Sequence, residues 1–426
     1  MSKKILLLFF AYTTLLLVGL VFNIQILLLA TVSLLCVSIF FLDMNHATYL
    51  LFCFSPLSYI LVYQQYNLYI LPVVVYILNA SVKRKSTMAI LFAPLLTVYC
   101  MVFADFRNSI KLGQLISPLL LLLIWFVCRV TEKSDYPKLV SYFTVGFVVS
   151  ACIGFFKNQM PLLQEILVTD SLYINGMDMP DEITRYSGIS YDPNFFALVD
   201  SILIAILLLQ KRRKSFTEAV VLVFLTVVGF FTFSKSYVLL LALILIVFAF
   251  ENSRHPFRTM LIIGVTFGCL ALIDYFSGIK ILALVQARFN AADNVNDLTT
   301  GRTELWLEYL DYILSNIRCL LFGNGFNALS LRKAVHNTYI DSLYRFGITG
   351  TALWSFYLWY CKKEVVRKCR KKTSSLLPAV VFLLGVFFLS AFHFQQFWCC
   401  IFLAMICPYL NGETQDEKTE CNCTHL

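Results

Sequence analysis

Residues 5–22 read ILLLFFAYTTLLLVGLVF, a run without a charge that follows the pair Lys3-Lys4. A helix of roughly 17–25 apolar residues is long enough to cross the hydrocarbon of a bilayer. Basic residues ahead of an apolar run also begin a signal peptide. No small-residue cleavage site closes this run, however, and a second apolar block starts at once. The segment therefore reads as a retained first helix. Working outward, similar blocks recur at 24–42, 47–63, 68–80, 87–104, 115–130, 138–156, 193–210, 217–233, 236–251, 259–276, 339–360, 376–391 and 395–410. The pair within 47–80 is the weakest, because Pro56 interrupts one block and the other is short. The chain reads as all-α: a polytopic transmembrane helical bundle of about 12–14 spans.

Composition agrees. The 426 residues are 59% hydrophobic and 14% charged, against about 45–50% and about 25% in an ordinary soluble domain. A soluble fold is excluded. The net charge of +9 is gathered in short loops: Lys83-Arg84-Lys85, Lys211-Arg212-Arg213-Lys214, Arg254 with Arg258, and Lys362 through Lys372. If the N-terminus is cytoplasmic, parity puts the loops at 81–86, 131–137, 211–216, 252–258 and 361–375 on the cytoplasmic side, where basic residues belong. No extended basic face remains for nucleic acid, which is not expected as a partner. Most of the 14 cysteines sit inside apolar blocks as small hydrophobes, so a disulfide framework is not expected.

The same parity divides the chain into N-terminal membrane helices (1–156), an outward loop (157–191), central helices (192–277), a large outward loop (278–338), C-terminal helices (339–410) and a polar cytoplasmic tail (411–426). Both termini are expected to be cytoplasmic. Within the large loop, Leu305, Trp306, Tyr309, Leu310 and Ile313 fall on one helical face. This spacing predicts an amphipathic helix from Arg302 to Asn316, lying on the membrane surface with its Trp and Tyr toward lipid. The outer loop is expected to be a structured, extracytoplasmic lid over the bundle.

Positive charge in outward loops runs against the topological bias. Arg185 precedes Asp192-Pro193-Asn194, Lys235 sits in a short turn between apolar blocks, and Arg288 and Arg302 lie in the large loop. Guanidinium groups match phosphate oxygens through paired donors. The same side chains could instead meet lipid phosphates or pair with Asp192, Asp293 or Asp297. His336, where the large loop re-enters the membrane, suits a general base near neutral pH. It could also merely occupy the interface while Asn337 caps the helix from Tyr339. Asp200, inside an apolar block, is either functional or the partner of Arg185 or Lys235. The acidic stretch Asp178-Met179-Pro180-Asp181-Glu182 could hold a divalent cation, though such proline-containing loops are more often solvated turns. The tail Cys421-Asn422-Cys423-Thr424-His425 has too few ligands for zinc. No metal site and no cofactor are assigned, and no phosphate loop or nucleophile elbow is present.

These residues resemble the bacterial O-antigen ligases and O-antigen polymerases. The likeness rests on Arg185-Tyr186-Ser187-Gly188 with Asp192-Pro193-Asn194, then Ser234-Lys235-Ser236, Gly301-Arg302 with Trp306, Gly323-Asn324-Gly325, and His336-Asn337 followed by Gly347 and Gly350. It covers roughly residues 180 to 355. The resemblance implies a metal-independent glycosyltransferase whose donor is an oligosaccharide on polyprenyl diphosphate. It assigns catalysis to His336, Arg302 and Arg288, and substrate binding to Arg185, Lys235, Asp192, Asn194, Asn337 and Tyr339. One departure stands out: the family turn commonly reads Ser-Arg-Gly, and here Lys235 and Ser236 replace its last two residues. Lysine keeps the charge but loses the fork. Three functions are then in competition. The first is polymerisation of lipid-linked repeat units, with membrane lipid and a chain-length regulator as possible partners. The second is ligation of finished glycan to lipid A core or another anchor. The third is a non-enzymatic flippase or transporter, which would need charged or broken helices at the midplane.

Overall fold

A computed structural model describes residues 1–63, 66–84, 95, 98, 99, 102, 116–166, 185–190, 192–209, 215–251, 256–277, 281–290, 299, 301–325, 331–368, 376–393 and 396–410. The expected all-α class holds. Helices run α1 Lys3–Val21, α2 Gln25–Phe41, α3 Met44–Phe54, α4 Ile70–Arg84, α5 Ile116–Val130, α6 Tyr136–Phe155, α7 Pro161–Ile166, α8 Pro193–Leu209, α9 Phe216–Phe230 and α10 Lys235–Glu251. They continue as α11 Pro256–Ser277, α12 Ile281–Asn290, α13 Arg302–Ser315, α14 Ile317–Phe322, α15 Thr338–Lys368, α16 Leu377–Val386 and α17 Phe397–Ile406. The strands among the described residues are two antiparallel pieces of two residues, Val62–Tyr63 and Tyr66–Asn67.

The count of spans differs from the expectation. Among the described residues, two helices are long and apolar enough to cross a membrane, Lys3–Val21 and Lys133–Phe155. A third joins them if the bent pair Gly264–Phe276 and Ile281–Ala287 is one span. Other apolar helices, among them α2, α8, α9, α16 and α17, are shorter, at 10–17 residues. The cause is visible at their ends. The block at 47–63 becomes a 3-10 turn at Ser55–Ile60, where Pro56 cannot continue the α-helical ladder. The blocks at 376–391 and 395–410 contain helices of 10 residues, each followed by a turn of another kind. Ten residues rise only about 15 Å, roughly half the hydrocarbon thickness.

Helix α8 is the central element of the C-terminal half and packs against α9, α10 and α16, while α3 packs on α6 and α1 on α2. The core is aromatic: Phe52 meets Trp398 edge to face at 5.0 Å and Trp125 stacks on Tyr360 at 4.8 Å.

Helix α15 is broken at Gly347, which has φ +60°. The break frees carbonyls that an unbroken helix would satisfy internally. Asn324 N–H donates to Tyr344 carbonyl at 3.0 Å and Gly325 N–H to Arg345 carbonyl at 2.7 Å. The Tyr99 hydroxyl donates to the carbonyls of Phe346 and Phe322. A Cβ on Gly323 would stand 2.3 Å from the Arg345 carbonyl oxygen, and one on Gly347 would stand 2.5 Å from Phe322 N. The Gly323-Asn324-Gly325 motif and Gly347 are thus two sides of one close backbone contact.

The predicted amphipathic helix exists as α13, within one residue of its expected end. Its orientation differs from expectation. Tyr309 is buried, and Trp306 turns inward to donate from Nε1 to the Val335 carbonyl at 2.9 Å. With Ile313, Cys319, Val335, Ile340 and Tyr344, Tyr309 forms a small separate core. Each ring has a polar atom that finds a backbone partner in the following loop, a stronger pull than lipid offers. The apolar residues left exposed are Leu307 and Leu314 on α13 and Ile317 and Leu321 on α14.

Candidate functional site

Three backbone segments meet around His336. Helix α13 starts after Gly301, at φ +78°, with the Thr299 hydroxyl bonded to Thr303. This places Arg302 so that its Nη1 donates to the Phe388 carbonyl at 2.7 Å, in the turn after α16. The same turn binds the start of α15: the Thr338 hydroxyl donates to the Leu389 carbonyl and accepts from Ala391 N–H at 3.0 Å. Helix α13 also fixes the loop that leads to His336. The Tyr309 hydroxyl donates to the Lys333 carbonyl at 2.9 Å and accepts from Leu331 N–H at 3.0 Å, and Trp306 holds Val335. His336 itself stands at φ +50°, a left-handed conformation that costs a non-glycine residue about 1–3 kcal/mol. Surrounding bonds hold it there.

Asn337 is committed to capping. Its Oδ1 accepts from Tyr339 N–H at 3.0 Å and Ile340 N–H at 3.1 Å, and the residue is buried. Tyr339 points its hydroxyl at the Leu383 carbonyl, 2.9 Å away on α16. It borders two apolar cavities. One of about 480 Å³ lies against α15, α16 and α17, lined by Thr338, Ser342, Trp354, Phe382 and Ile401 among others. A second of about 390 Å³ lies beneath α13, between Thr303, Trp306, Leu310 and Phe387.

The other half of the site gathers at the start of α8. Asp192 Oδ1 accepts from Asn194 N–H at 2.6 Å and from Asn194 Nδ2 at 2.8 Å. Asn194 Oδ1 accepts from Arg185 Nη2 at 3.1 Å and from the Ser234 hydroxyl at 2.8 Å. Arg185 Nε donates to the Thr232 carbonyl at 3.0 Å. Arg185 therefore ties the start of α8 to the α9–α10 turn, where Phe233 has φ +47° and Lys235 opens α10.

Electrostatics join the halves. Burial pulls the Arg302 guanidinium below its ordinary value; Asp192 offsets this and Arg185 adds to it. Burial likewise holds His336 below the ordinary histidine value, reinforced by Arg302 and Lys333 and opposed by Asp192 and Asp341. Charges that shift one another in this way lie within each other's electrostatic reach. Arg185, Asp192, Arg302 and His336 thus share one neighbourhood, with Asn194 and Ser234 bonded into it.

Arg288 stands on α12, with its side chain outside the described residues. Asp178, Asp181, Glu182, Asp293, Asp297 and the cysteine-containing tail lie outside the described residues. Among the described residues no three His, Cys, Asp or Glu side chains gather as a metal site would need. Asp200 accepts a hydrogen bond from neither Arg185 nor Lys235: both its oxygens are buried without a hydrogen-bond partner, and neighbouring Tyr237 donates to the Thr226 carbonyl at 2.9 Å.

No protein-family model, curated protein or solved structure matches this chain. The geometry therefore stands alone. It adds residues that the sequence did not single out: Thr338 and the Phe388 carbonyl as joints, Tyr309 as a clamp, and the pair Asp341 and Arg345 in the helix that follows His336. Only the last pair had a legible signal, opposite charges four residues apart at the start of a helix.

Proposed function

We propose that this chain is a polytopic membrane glycosyltransferase of the outer face of a bacterial inner membrane. It polymerises polyprenyl-diphosphate-linked oligosaccharide repeat units into surface polysaccharide. The supporting observation is the shared neighbourhood of Arg302, Arg185 and His336, with Arg185 drawn from a segment more than a hundred residues before the other two. Two cations and a base held at reduced proton affinity suit displacement of an anionic leaving group by a hydroxyl.

In the step envisaged, an acceptor hydroxyl attacks the anomeric carbon of the donor sugar and gives its proton to His336. The bond between that carbon and the diphosphate oxygen breaks, and its electron pair leaves with the diphosphate. Arg302, half-desolvated, meets the developing charge through paired N–H donors. Arg185 adds charge from the α8 side. Asp192 keeps the cationic cluster compensated while no substrate is bound. The apolar cavity that opens at Thr338 and Tyr339 suits the hydrocarbon of a lipid-borne donor. Helices such as α2 and α8, at 17 residues, rise about 26 Å, and a bilayer can thin locally to meet helices of that length.

A gel of lipid-linked and surface glycans from a strain lacking this protein tests the reading. Single repeat units accumulating on the carrier lipid are the expected result. Long chains accumulating on carrier lipid would identify a ligase instead, and an unchanged pattern would refute both.

A further inference from the structure

We infer that Asp341, buried in the first turn of the helix that follows the loop histidine, acts through His336 to support the charge that His336 acquires on taking the acceptor proton. The inference rests on the reading of His336 as the base. The segment from Thr338 to Phe346 is a half-helix, closed at one end by the Asn337 cap and at the other by the Gly347 break. Its charged residues are Asp341 and Arg345, and both are buried, with side chains 4% and 9% exposed. Asp341 N–H donates to the Asn337 carbonyl at 2.9 Å, so Asp341 stands one helical turn after Asn337.

Burying two charges costs several kcal/mol per ion, and an apolar pair of similar volume often serves stability equally well. A half-helix that needed only packing would carry leucines here. The pairing is also incomplete. Asp341 Oδ1 accepts from Arg345 Nε at 2.7 Å, but Oδ2 is buried with no hydrogen-bond partner. An unsatisfied carboxylate oxygen is costly unless something charged comes to face it. An imidazolium at His336 is such a group. The charges that face His336 are Arg302 from α13, Lys333 from its own loop, Asp192 from the start of α8, and Asp341 from α15. Two of these oppose protonation. Of the two that favour it, Asp192 is bonded to Asn194 through Oδ1 at the start of α8, while Asp341 stands on the helix that the His336 loop leads into, with Oδ2 buried and without a hydrogen-bond partner.

Asp341 is thus a positioning residue rather than a catalytic one. The test is a pH profile of glycan transfer by the purified protein in vesicles supplied with a lipid-linked repeat unit. His336 must be neutral to accept a proton, so activity falls on the acid side as His336 becomes charged. Removing the Asp341 charge makes the imidazolium less favourable, so neutral His336 persists to lower pH. In Asp341→Asn the midpoint of the acid limb should move down by roughly one pH unit, the order of effect of removing one nearby charge inside a protein. The plateau should fall about tenfold, because a weaker base accepts the proton less well. Asp341→Glu should keep the limb in place. Should Asp341→Asn not accumulate, the double variant Asp341→Asn with Arg345→Gln leaves no buried charge unpaired and serves instead.

An unmoved limb, with only the amount of folded protein reduced, would overturn the inference. So would failure of both variants to accumulate, since the ion pair would then be needed for folding. A wild-type protein with no transfer at all would refute the function itself, a separate result.

Discussion

An Arg302→Ala variant should transfer glycan about 10²–10³ times more slowly than wild type, the usual loss when a preorganised donor to a developing oxyanion is removed. The reason lies in how Arg302 is held. Its Nη1 is already bonded to the Phe388 carbonyl, which fixes the plane of the guanidinium before substrate arrives. No reorganisation is then required at the moment the diphosphate departs. Burial strengthens the effect, since a charge shielded from water interacts more strongly with the leaving group. Arg302→Lys should recover only part of the rate, because an ammonium reaches either the carbonyl or the phosphate but has no fork to meet both. The measurement is transfer rate in vesicles, normalised to folded protein. Equal rates for the alanine variant and wild type would remove Arg302 from the chemistry.

Replacing His336 should cost about 10²–10⁴ in rate, the range for a general base. The choice of substitute matters. At φ +50° an alanine is strained, whereas asparagine tolerates the left-handed region. His336→Asn is therefore the cleaner variant: it keeps the backbone and removes the base. It should still bind the lipid-linked donor, since the cations remain, yet release little product. In the wild type, burial and Arg302 hold His336 below the ordinary histidine value. The neutral base therefore persists into mildly acid solution, and the acid limb of activity should lie below the usual histidine range. A limb at or above that range, or full activity in His336→Asn, would contradict the role.

The sequence carried the helical class, α13 and the identity of the cationic residues further than it carried their arrangement. Helix α13 was legible because its apolar residues repeat at helical spacing. Its facing was not. Periodicity defines an apolar side, but whether lipid or protein covers it depends on partners distant in the chain, here the carbonyls of Lys333 and Val335. Among the described residues most of the expected spans are not single helices of full spanning length, for a related reason. Hydropathy sums side chains, while a helix ends where the backbone must turn, as at Pro56 and after Val386. Asn337 shows one ambiguity settled by geometry: both its anchoring bonds go to backbone N–H groups of α15, the capping alternative. Arg185 shows the opposite. Nothing in the spacing of Arg185, Asn194 and Ser234 foretold that one amide oxygen would receive bonds from both other residues.

The most direct measurement is reconstitution of the purified protein alone in vesicles containing a polyprenyl-diphosphate-linked oligosaccharide, with a chelator present, followed by separation of the products by size. Longer glycans appearing on the lipid, together with free polyprenyl diphosphate in equal amount, are what a cationic cluster driving departure of the diphosphate predicts. A substrate that remains entirely as single units, in vesicles where the protein is shown to be folded, would contradict it.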